Sequence, residues 1–94
     1  VFVNMTADWC VTCKANERTV LAREGFRTAL EAAGAVYMKG DWTDVDPAIT
    51  AFLESHGAVG VPLYVVYPRR GEPRVLPTVL TQALVAEALA EAAN

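Results

Sequence analysis

The chain has 94 residues, enough for one small domain with a single core and little stability margin. Its 53% hydrophobic content excludes a disordered tail, yet no apolar run approaches the roughly 18 residues that span a bilayer as a helix. A net charge of −3 without a basic stripe argues against nucleic acid as a partner.

Val1 to Thr6, VFVNMT, is rich in β-branched and aromatic residues and reads as a strand covered on both faces. Asp8 and Trp9 turn the chain into a helix that starts at Cys10 and continues through Val20 and Leu21. Gly25 predicts a break. A second helical run, Phe26 to Ala33, places Phe26, Ala29, Leu30 and Ala33 on one face, and Gly34 stops it. Ala35 to Trp42 is a second strand. Asp46 is the expected N-cap, with Pro47 at the first position, of a helix reaching about His56. Its inward residues are Ile49, Phe52 and Leu53, and Gly57 ends it. Val61 to Tyr67 reads as a third strand. PRRGEP is a hairpin turn, with Arg69 and Arg70 solvated. Arg74 to Leu76 is a short fourth strand antiparallel to the third. Residues 80–93 form an amphipathic helix with Leu80, Leu84, Val85 and Leu89 as its apolar stripe. The order β-α-β-α-β-β-α predicts an α/β fold with a parallel portion, right-handed crossovers and an antiparallel closing edge. Residues 1–94 read as one domain. The first residue is Val1 rather than Met, so the expectation is a fragment or processed product of a longer protein.

The only cysteines are Cys10 and Cys13, in ADWCVTCKANE. As a structural staple the pair would close a very short loop, which stabilises little. A structural zinc site needs four ligands, and the sequence offers the pair and a lone His56. A redox pair suits the position better. Cys10 falls where unpaired helix N–H groups favour a thiolate, the form that attacks disulfides. Cys13 lies about one turn on, within reach and less exposed. Two alternatives stay open: a Cu(I)- or zinc-handling module with a shared or open site, and a non-catalytic binding domain that keeps the cysteines structurally.

A strand followed by W-C-x-x-C at a helix start, with GVPLYVVY some fifty residues later, resembles the thioredoxin superfamily. ADWCVTCKANE, DWTDVDPAI and GVPLYVVY resemble in particular the C-terminal thioredoxin-like domain of DsbD-type thiol:disulfide interchange proteins, including ScsB proteins. The resemblance implies a central mixed four-stranded sheet flanked by helices. It implies a protein-disulfide reductase with Cys10 as nucleophile and Cys13 as resolving thiol, and no cofactor or metal. Pro62 would be cis and face the pair, offering backbone to an extended segment of a partner. Glu17 matches an acidic position and would tune protonation of Cys13. Trp9 would shield the pair and contact the partner, and Asp8 would modulate cysteine ionisation. Implied partners are disulfide-containing proteins or domains, and a membrane-embedded electron donor in the same full-length chain, with the domain in the periplasm. Two departures stand out. Asn4 occupies a position that often carries a buried acid in this superfamily. The family's N-terminal strand and helix are not among these residues. Lys39 reads as a surface lysine, with pairing to an internal acid as the alternative, Trp42 as core, and His56 as complementing a helix end.

Overall fold

The computed structural model describes residues 1–58, 60–68 and 71–93. The opening apolar run forms β1 (Phe2–Thr6), in which only Met5 escapes full burial. Parallel to it lies β2 (Tyr37–Asp41), with Asn4 beside Lys39. On its other side β3 (Leu63–Val66) runs antiparallel, with Asn4 opposite Tyr64. The short β4 (Arg74–Val75) extends the sheet beyond β3, so the order is β2-β1-β3-β4. This is the mixed four-stranded sheet that the resemblance implies.

The helices explain which faces are covered. α1 (Val11–Asn16) passes into a π-helical segment, Glu17–Leu21, and then α2 (Glu24–Ala33) begins. α3 (Pro47–Ser55) and α4 (Gln82–Ala92) complete the set. Phe2, Tyr64 and Val66 pack with Val20, Phe26, Val85 and Leu89 on one face of the sheet. Val3, Leu63 and Val65 pack with Leu53, Ile49 and Phe52 on the other, under α3. Asp46 caps α3 as expected, its carboxylate accepting from the amides of Ala48 and Ile49 at 2.7 and 3.3 Å. Thr81 caps α4 through the Leu84 amide at 3.1 Å.

Several boundaries differ from expectation. α4 starts at Gln82 behind its Thr81 cap, leaving Leu80 before the helix, and β4 ends at Val75. Three others shift as follows. The break predicted at Gly25 falls at Ala22 and Arg23, and Gly25 sits in the first turn of α2. A Cβ there would stand 3.1 Å from Gln82 Oε1 of α4, a side-chain end that would have to shift slightly. The strand predicted from Ala35 begins at Tyr37. Gly34, at φ 63°, closes α2 in a left-handed turn that uses the Ala35 amide to bond Leu30 O. The third strand is shortened to Leu63–Val66. The expectations for Arg69 and Arg70 lie outside the described residues.

Candidate active site

β1 delivers the chain to buried Ala7, whose carbonyl accepts the Cys10 amide at 3.1 Å. This turn leaves Cys10 extended, at φ −90° and ψ 104°, as the N-cap of α1. Its Sγ accepts the Cys13 amide at 3.1 Å, where a capping residue normally places an oxygen. Cys10 and Cys13 are joined as a disulfide with a Cα–Cα distance of 5.2 Å. Cys10 is 7% exposed and Cys13 is 0% exposed, so Cys10 is the less buried of the pair. Once reduced, an amide aimed at Cys10 Sγ favours its thiolate.

Val61 packs against both cysteines and Ala7. The Val61–Pro62 peptide bond is cis, as the resemblance implies, and it leads directly into β3. Beside it lies a groove of about 390 Å³ lined by His56, Gly60, Val61, Pro62, Val75 and Thr78 among others. Trp9 is 55% exposed and tilts against Trp42, ring centroids 5.9 Å apart. Trp42 is only half-buried and donates to Thr50 Oγ1 at 2.9 Å. Cys10, Cys13 and the Val61–Pro62 segment therefore form one site, with Trp9 beside Cys10 in the chain.

The remaining sequence candidates point elsewhere. Asp8 is exposed and faces Lys14 at 3.5 Å, a contact that water screens heavily. Glu17 closes the last turn of α1, its amide donating to Cys13 O and Lys14 O. Its carboxylate turns to β2 and pairs at 3.1 Å with Lys39, which stays on the surface with its side chain 51% exposed. That hydrogen bond holds the Lys39 ammonium above its ordinary pKa, against a smaller opposing effect of burial. His56 caps α3, stacks on Phe52 and meets Tyr67 Oη at 3.1 Å.

Two braces around α1 are absent from the sequence reading. At its start, Thr43 Oγ1 accepts the Asp8 amide at 2.9 Å, and Thr43 O accepts Trp9 Nε1 at 3.1 Å. Thr43 is fixed in turn by donating its hydroxyl and amide to Asp41, which lowers the Asp41 pKa. At the far end, Asn16 is 3% exposed and donates to Tyr64 Oη at 2.9 Å and Thr78 O at 2.7 Å. Its Oδ1 accepts the Leu80 amide at 3.1 Å. Burial pushes the Tyr64 hydroxyl up to about 12. A sequence signal for Asn16 existed: Cys13, Asn16 and Val20 share one helical face, and a polar residue on such a stripe needs partners. Asn4 is also fully buried, donating to Tyr37 Oη at 2.8 Å, with no partner for its Oδ1 among the described residues. Among the described residues, no three His, Cys, Asp or Glu side chains gather around a point that could hold a metal ion.

A mixed sheet carrying a cysteine pair at a helix start, against a cis-proline, defines the thioredoxin-fold class, and the disulfide fits thiol–disulfide exchange. The model of the thioredoxin-like family matches residues 1–68, and the chain belongs to that family. It is 31% identical over 71 residues to the thiol:disulfide interchange protein DsbD of Cronobacter sakazakii. That match takes in 76% of this chain and 12% of the relative's length. The fold matches the C-terminal domain of Neisseria meningitidis DsbD in its oxidised form (TM-score 0.77, 24% identity, 93% of this chain and 74% of that one). It matches the reduced form equally well (TM-score 0.78, 23% identity, 96% and 77%). Among the described residues, no helix is long and apolar enough to cross a membrane.

Proposed function

We propose that this chain is a thiol–disulfide oxidoreductase domain that passes electrons to disulfide-containing proteins or domains in the periplasm. One observation carries the reading: Cys10, bonded to buried Cys13, caps α1 and accepts the Cys13 amide beside the Val61–Pro62 segment. In the reduced domain the Cys10 thiolate attacks one sulfur of a partner disulfide. The other partner sulfur leaves as a thiolate and takes up a proton. Cys13 then loses its proton and attacks Cys10 Sγ, which breaks the mixed disulfide and frees the second partner thiol. Two electrons pass to the partner, and the domain returns to its disulfide form. Another dithiol recharges it.

The supporting roles follow from place. Pro62 shapes the groove in which an extended partner segment lies, and Trp9 gives that segment a flat apolar contact. Glu17, one turn beyond Cys13 with its carboxylate held on Lys39, acts on protonation of the resolving thiol only through its charge, not by direct contact. Asp8 acts only weakly on cysteine ionisation, because it is exposed. Residues 1–94 act as one domain of a larger interchange protein, in keeping with a match to 12% of a DsbD relative. In that protein a membrane-embedded domain supplies the electrons, tethering this one to the inner membrane.

The test is a pair of variants given a disulfide-bonded substrate. Cys13→Ser is expected to accumulate a one-to-one mixed disulfide through Cys10, and Cys10→Ser to form none. Normal turnover by either variant contradicts the mechanism.

A further inference from the structure

Reduction removes the bond that ties Cys13 to Cys10, so something else must keep Cys13 aimed at Cys10 Sγ during exchange. The backbone alone is poorly suited. α1 has six residues, and its ladder then changes to π spacing, where the Ala22 amide bonds Glu17 O. A helix this short has little stability of its own. One turn beyond Cys13, however, Asn16 is bonded across the fold to Tyr64, Thr78 and Leu80. Thr78 also lines the groove beside Pro62.

We propose that Asn16 is the positioning residue of the resolving step. Its three hydrogen bonds lock α1 to β3 and to the 78–80 segment. Cys13 thereby stays within attack distance of Cys10 Sγ, and the groove wall at Thr78 keeps its place relative to the pair. The inference rests on the exchange reading above. Asn16 touches no reacting atom. It acts through Cys13, whose thiolate displaces the partner thiolate from Cys10 Sγ.

The experiment uses the reduced chain and dithiobis(nitrobenzoate), which reports the two steps separately. The first thionitrobenzoate is released when Cys10 forms the mixed disulfide, and the second when Cys13 resolves it. In Asn16→Leu the first phase is expected to keep its rate, while the second slows between about tenfold and a hundredfold, the usual cost of small misplacement. Intact mass should then catch the Cys10 adduct. Tyr64→Phe removes one of the three bonds and keeps the ring, so it should slow the second phase less. It also decides the matter if Asn16→Leu does not fold. An unchanged second phase in both variants overturns the proposal, as does equal slowing of both phases, which marks a merely structural role. If the unaltered chain shows no first phase, the exchange reading itself fails, and the proposal falls with it.

Discussion

The two ends of α1 are held by hydrogen bonds of similar length and opposite setting. At the start, Asp8 and Trp9 donate to Thr43 in the open. At the far end, Asn16 is bonded within the core to Tyr64 and Leu80. Water competes for the first set and is shut out of the second. A bond that water can replace contributes little, whereas losing one partner of a buried bond strands the other. In the proposed exchange the end carrying Cys10 meets a partner and tolerates an exchangeable brace, and the end beyond Cys13 is held by the buried one.

The largest expected effect tests that contrast directly. Asn16→Leu strands the buried Tyr64 hydroxyl and Leu80 amide at roughly 1–3 kcal/mol each, so the expected loss is about 3 kcal/mol by urea unfolding with unchanged slope. A loss no larger than that of an exposed substitution, about 0.5 kcal/mol, would erase the distinction.

The two braces should also fail at opposite ends of the pH scale. The Tyr64 pKa is raised by burial to about 12. Its contribution to stability is therefore complete below the ordinary tyrosine value of about 10 and is lost as pH rises from there towards 12. Lys39, also raised, adds to this alkaline loss, so the comparison is with Tyr64→Phe, which should lose less across that window. Identical alkaline limbs would contradict the assignment. The Asp41 pKa is lowered by the Thr43 hydroxyl and amide. Its contribution is present above the unfolded carboxylate value of about 3.9 and is lost as pH falls through the folded value.

Smaller effects follow at the open end. Val45, in the turn next to Thr43, is held at φ 53°, a left-handed conformation costly for a β-branched residue. Val45→Asn is expected to gain about 1 kcal/mol, seen as a melting temperature higher by about 4–8 °C. Thr43→Val should cost about 1 kcal/mol or less at neutral pH, because water takes over the Asp8 amide. It should also flatten the acid limb set by Asp41. A loss as large as that of Asn16→Leu would mean that both braces are structural to the same degree.

The sequence made the cysteine pair and the proline of the candidate site legible and left the hydrogen bonds around α1 dark. Cys10, Cys13 and Pro62 sit in local patterns, a pair at a helix start and a proline opening an apolar strand. Strand and helix order followed from periodicity, and Asp46 with Pro47 marked α3 correctly. The braces depend on partners 34 to 64 positions away, beyond the reach of any local pattern. Sheet order was equally hidden. β3 (LYVV) is wholly buried in the sheet interior, while β2 (YMKGD) lies at the sheet edge with Met38 56% exposed. Lys39 lies on the surface as expected, but the acid it meets, Glu17 on α1's continuation, is a neighbour only in three dimensions.

The measurement that bears most directly on the central claim is a redox titration of the chain. It is equilibrated in graded dithiol–disulfide buffers, trapped by alkylation and read by intact mass. A single reversible two-electron transition between the Cys10–Cys13 disulfide and the dithiol, at a reducing potential, is the expected result. A transition at a strongly oxidising potential would reverse the proposed direction of electron flow. The absence of any reversible couple would contradict the account outright.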